Sequence, residues 1–259
     1  MPTRLSLAQH LAALGTAMTA FVRYADRAGL DADVPTCPGW TVRDLIAHQG
    51  MVHRWATALV SGERPRVAQE RSAAWQAEGL VAMDPLGWLR TGAVRLSHQL
   101  TQAAPDLEVL TFLADAPAPR EFWARRQAHE TTIHAVDAQA AALGRVPEPA
   151  EADWIGAEVA VDGIDELLGG FLPRPTSTLR SAEESLLVVR LPDVGESWEV
   201  EVGPHPPRTL RLGDGDRGRS ADWELTGDAG EVYLRVWNRG APPAMPTGDW
   251  RELTAVAWG

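Results

Sequence analysis

Apolar positions alternating three and four residues apart open the chain. Leu7, Leu11, Leu14, Met18, Phe21 and Ala25 share one face of a helix expected from Ser6 to about Ala28, and Ser6 with Gln9 has capping-box spacing. After the turn CPGW, Thr41 and Asp44 repeat that device, and Leu45, His48, Val52, Trp55 and Leu59 form the stripe of a second helix. Asp84 and Pro85 suit an N-cap and first position, and Leu86, Leu89, Ala93, Leu96 and Leu100 carry a third helix to near Pro105. A fourth runs from about Pro119 to Leu143, closed by Gly144. Four long helices joined by loops predict a bundle.

A further helical stretch, about Ala152 to Leu168, meets a break at GGFLPRP. Beyond it the period changes. Leu186 to Leu191, Trp198 to Val202 and Thr209 to Leu212 are short β-type runs bounded by Pro, Gly and Asp, AGEVYLRVWNRG reads as a helix, and an apolar segment around Trp250 to Trp258 ends the chain. The pattern predicts a two-domain α+β protein. Residues 1–170 form a helical bundle with a connecting helix, and residues 171–259 a smaller α+β domain, divided near Leu172. No internal repeat or low-complexity tract interrupts this.

Composition narrows the function. A formal net charge of −11 over 259 residues argues against nucleic acid or an anionic membrane surface as partner, and favours a small molecule. The single cysteine, Cys37, excludes an intrachain disulfide and a multi-cysteine metal site, which suits the cytoplasm. Gln9, His10 and Thr16 interrupt the early apolar run, so no signal peptide is expected, and no stretch reaches the length of a membrane helix.

The chemistry concentrates in RRQAHETTIHAVDAQ, Arg125 to Gln139. It looks like the zinc-protease pattern H-E-x-x-H with one residue inserted. Five residues apart, His129 and His134 diverge by about 140° on a helix and cannot reach one ion. Glu130 and His134, four apart, share a face. Arg126, Glu130, His134 and Asp137 lie along one strip beside Ile133 and Ala141, while His48 sits in the apolar stripe of the second helix. Both sets aim at the bundle interior. Ionisable groups there must be paired or metal-bound, because burying them unpartnered costs several kcal/mol.

PTCPGWTVRDLIAHQGMVHRW and WARRQAHETTIHAVDAQAA resemble the mycothiol-dependent maleylpyruvate isomerase family of actinobacteria, whose N-terminal part is a DinB-like four-helix bundle. The resemblance implies that His48, in PGWTVxDLxxH, and Glu130 and His134, in RxxHExxxH, are ligands of zinc or another divalent metal. It also implies a C-terminal domain like sterol-carrier proteins, preceded by a segment like VDGIDELL and matched more weakly by VYLRVWNRG and GDW. A His-Glu-His set leaves a coordination position open, as catalytic zinc sites do. The implied activity is that of a cis-trans isomerase or S-transferase, with mycothiol as thiol cosubstrate and a small electrophile as substrate. A non-catalytic metal- or ligand-binding protein is the competing reading, and a metal-dependent hydrolase a third, though no separate general base is evident for it.

Other residues carry narrower expectations. Arg126 and Asp137 read as members of ion pairs along or between helices, or as outer support and substrate charge binding. Within the bundle motif Arg126 is the cation placed to hold an acidic electrophile. The resemblance implies a C-terminal-domain arginine that binds the acidic substrate or the thiol, and VWNRG gives Arg239 that place, against a solvated arginine at a helix end. His129 is expected to pack or to support the ligands from outside. His53, about 140° from His48 on its helix, is expected at the pocket rim or on the surface. Cys37 is expected away from the metal, and Trp40 at the helix start, where Gly39 allows the bend.

Overall fold

The structure, a computed structural model, describes residues 4–113, 115–212, 218–245 and 248–255. These residues form two compact units, one from 5–111 and 117–147, the other from the described residues of 112–116 and 148–255 together with Arg4.

Five helices make the first unit: α1 (Leu7–Ala28), α2 (Val42–Val60), α3 (Pro65–Val81), α4 (Pro85–Gln102) and α5 (Pro119–Leu143). Both expected capping boxes form. Ser6 N donates to Gln9 Oε1 at 2.9 Å and Thr41 N to Asp44 Oδ2 at 2.8 Å, satisfying donors that a helix start leaves open. Asp84 caps α4 by accepting from Gly87 N, and Gly144, in the left-handed region at φ 68°, ends α5.

Helix α3 is an addition to the four helices that the sequence predicts. It has no apolar stripe, burying only Ala68 and Gly79. What holds it is small size. A Cβ at Gly79 would stand 2.8 Å from Ala47 Cα and from the Trp88 ring, so the glycine lets α3 lie directly against α2. Trp88 Nε1 donates to Glu78 Oε1 at 3.0 Å, and Arg54 stacks 3.5 Å from the Trp88 ring centroid. Periodicity cannot report such a contact.

Helix α2 is thereby enclosed by α3, α4 and α5, while α1 packs chiefly on α5. Side chains of α5 are buried from Phe122 to Ala141, polar ones included. A stretch buried on all faces has no amphipathic signature, and its polar groups must find partners.

The second unit holds α6 (Ala157–Asp165), a π-helical turn (Glu166–Phe171), four strands, α7 (Ala229–Val236) and α8 (Trp250–Leu253). The strands β1 (Ser185–Leu191), β2 (Glu196–Val202), β3 (Arg208–Leu212) and β4 (Trp223–Thr226) form one sheet in the order β3-β2-β1-β4. β1 to β3 pair antiparallel in sequence, and β4, which the sequence reading missed, joins β1 in parallel. Trp198 Nε1 donates to Asp165 Oδ1 at 2.9 Å, and Trp237 Nε1 to Gly163 O at 2.9 Å, tying α6 to the sheet and to the end of α7. The stretch 157–171 therefore packs within this unit. Of the expected C-terminal apolar segment, Trp250 to Leu253 is helical, and Trp258 lies outside the described residues. Among the described residues no helix is long and apolar enough to cross a membrane.

Candidate metal centre

The Thr41–Asp44 box fixes where α2 begins and so where His48, just over one turn further, stands. Across from it, Glu130 and His134 project from the same face of α5. His134 Nε2 lies 3.3 Å and His48 Nε2 3.7 Å from Glu130 Oε1, and the two imidazoles meet edge to face with centroids 5.0 Å apart. The other Glu130 oxygen accepts from Arg126 Nη2 at 3.2 Å.

These separations suit an ion. A tetrahedral zinc with bonds near 2.1 Å holds its ligand atoms roughly 3.4 Å apart. The three side chains offer two imidazole nitrogens and a carboxylate oxygen within 4.8 Å of one another. Their side chains are 21%, 10% and 11% exposed, so the cluster is reachable from one side.

Behind these three side chains stand further polar groups. Asp137, fully buried, accepts at Oδ2 from His134 Nδ1 at 2.8 Å. The Cys37 thiol donates to the same oxygen at 3.4 Å. This overturns the expected remoteness of Cys37. The expectation measured only the distance along α2 to His48. In the structure Val34 N bonds Trp40 O at 2.9 Å, Cys37 N bonds Val34 O at 2.9 Å and Gly39 takes φ 85°, folding the loop back over α5. The same loop brings Trp40 within 5.0 Å of the His48 ring and 6.5 Å of the His134 ring, centroid to centroid. Trp40 walls the cluster as well as packing at the helix start.

Electrostatics follow from the contacts. Burial opposes a charge on Glu130, yet hydrogen bonds from His134 and His48 and the Arg126 guanidinium outweigh it and hold the carboxyl well below its usual range. Burial likewise pulls His134 down, but Asp137 and Glu130 raise it to about 9. Arg126 is 1% exposed and pairs with Glu130.

His53 is a further correction. It is fully buried, not at a rim, with Nε2 3.0 Å from Thr131 Oγ1 and 2.8 Å from Gln49 Nε2. Because α2 is enclosed on several sides, turning 140° from His48 leads to another interior face. His129 is fully buried too, against His10 of α1, with ring centroids 6.5 Å apart. Arg239 follows α7 in the second unit, where its Nη1 donates to Trp237 O at 3.0 Å.

Fold and site define a class: an α+β protein whose helical unit carries an accessible His-Glu-His cluster with a carboxylate behind one imidazole. Residues 11–139 match the mycothiol maleylpyruvate isomerase N-terminal domain, and residues 158–256 match the C-terminal domain of the same proteins. The chain belongs to the mycothiol-dependent maleylpyruvate isomerase family. No curated protein matches it. Two crystal structures of the mycothiol-dependent maleylpyruvate isomerase share the fold. A histidine-to-alanine mutant gives a TM-score of 0.63 at 18% identity over 93% of each chain, and a second structure 0.58 at 18% identity over 94% of each.

Proposed function

We propose that the protein is a zinc-dependent enzyme that uses a low-molecular-weight thiol, mycothiol, on a small electrophile, as a cis-trans isomerase or an S-transferase. The convergence of His48, Glu130 and His134, whose imidazole Nε2 atoms lie 3.7 and 3.3 Å from one Glu130 oxygen, supports this reading. Zinc held there would favour the ionised form of a thiol, supplying a nucleophile at neutral pH. His48 and His134 bring neutral nitrogens and Glu130 one negative charge, which leaves such a centre electropositive and receptive to an anion. Arg126 holds the distal oxygen of Glu130 and so orients the oxygen that faces the imidazoles. Trp40 lies beside both imidazole rings.

The test is incubation of zinc-loaded protein with mycothiol and a panel of electrophiles, maleylpyruvate included, followed by mass spectrometry. Turnover that requires both zinc and mycothiol is the expected result. Turnover without thiol would make the protein a hydrolase, and zinc binding with no turnover would make it a binding protein. Family likeness extends the proposal to Arg239 as the group for a substrate carboxylate. Arg239→Ala is expected to leave zinc content unchanged and to slow a carboxylate substrate roughly tenfold, about 1.4 kcal/mol, with a neutral substrate much less affected.

A further inference from the structure

We propose that Asp137, assisted by Cys37, is the positioning residue that decides which nitrogen of His134 is offered to the metal. The proposal rests on the metal reading above.

The His134 ring stands between two carboxylates. Nδ1 is 2.8 Å from Asp137 Oδ2, and Nε2 is 3.3 Å from Glu130 Oε1. A neutral imidazole carries one hydrogen and one lone pair, and only the lone pair can bind a cation. Hydrogen on Nε2 would turn the lone pair of Nδ1 against Oδ2 and aim N–H at the place the ion requires. Hydrogen on Nδ1 satisfies Asp137 and points the bare Nε2 toward His48 and Glu130. The two carboxylates thus differ in task. Glu130 turns one oxygen to the imidazoles and the other to Arg126, while Asp137, fully buried, meets the far edge of the ring.

Cys37 extends the arrangement. Its thiol shares Oδ2 with the His134 N–H, at 3.4 Å, and so donates to the oxygen that orients the ring. A thiol is a weak donor, so its part is the smaller. The loop hydrogen bonds from Cys37 N to Val34 O and from Trp40 N to Cys37 O hold it there, and the loop that walls the cluster with Trp40 also braces it from behind.

The experiment measures zinc affinity, by competition with a chelator, for the parent protein and for Asp137→Asn, Asp137→Leu and Cys37→Ala. Metal-free unfolding midpoints serve as the check on folding. Asn still accepts a hydrogen bond but lacks the charge, so roughly tenfold weaker binding is expected; Leu accepts none, and the loss should approach a hundredfold. Cys37→Ala is expected to lose less than Asp137→Asn. Full affinity in a folded Asp137→Leu protein overturns the proposal.

Because a buried position can compromise folding, the parent itself supplies a second test. Long-range proton–nitrogen spectra of zinc-loaded protein with 15N-labelled histidine should place the hydrogen of His134 on Nδ1 and the metal on Nε2. Zinc on Nδ1 would overturn the assignment whatever the variants do. A parent that binds no zinc would instead overturn the metal reading on which the proposal stands.

Discussion

Two histidines on one helix, His48 and His53, leave it about 140° apart and each reaches a side chain of α5, yet they meet opposite circumstances. His48 retains 21% side-chain exposure and lies 3.7 Å from a carboxylate oxygen. His53 is fully buried and touches an amide and a hydroxyl, which carry no charge. The first belongs to a cluster that keeps some exposure to solvent. The second belongs to a sealed seam. Burial, with Arg54 adding to it, holds His53 down to about 3, so it is a neutral packing group at any ordinary pH. Residue type is the same; the partner's charge and the path to solvent set the role. The seam is also incompletely satisfied. His53 Nδ1 and Gln49 Oε1 have no hydrogen-bond partner among the described residues, which marks them as a cost the fold carries in its interior.

The strongest way to break this comparison is to remove one member of each set and measure zinc affinity. His48→Ala deletes a donor atom and should lose more than the roughly hundredfold that an outer partner can contribute, whereas Gln49→Ala should bind as the parent does. Comparable losses in both variants would merge the open cluster with the seam. The same titration carries a pH dependence. Zinc must displace the proton that Asp137 and Glu130, against burial, keep on His134 up to about 9, so affinity should rise as pH increases toward that value. A pH-independent affinity would contradict the geometry of His134.

A next sharpening concerns the sealed histidine. Its folded value of about 3 lies below the 6.5 of the unfolded chain, so the unfolded state binds the extra proton between these limits. Stability is therefore fully present above about pH 6.5 and lost as pH falls toward 3. Urea unfolding with chelator present should show the parent losing roughly 1 kcal/mol more per pH unit in that window than His53→Leu, which cannot titrate. Parallel slopes would mean that His53 is not sealed.

The smallest effect is expected at the hydroxyl shared by the seam. Thr131→Val keeps the shape, removes a partner that Gln49 and His53 share, and should cost about 1–3 kcal/mol of stability with zinc affinity unchanged. A shift in zinc affinity would show that the seam supports the open cluster.

Legibility followed from how local the cause was. The capping boxes at Ser6 and Thr41, the glycine stop at Gly144 and the face shared by Glu130 and His134 are properties of four or five consecutive residues, and all stand where periodicity put them. Helix α3 was illegible because Gly79 holds it by close approach and it carries no apolar stripe. The strand β4 has four residues and depends on β1 for its hydrogen bonds.

By itself the sequence determined helices α1, α2, α4 and α5, the change to a sheet-bearing C-terminal part and the three residues that converge on one point. Only the tertiary structure decided that His53 is enclosed, that Cys37 reaches Asp137 across 100 positions of sequence, and that Arg126 is committed to Glu130. The physical reason is common to these cases. A helix period reports the direction in which a side chain leaves its own axis, whereas burial, charge pairing and the identity of an outer partner depend on what the rest of the chain brings to that direction.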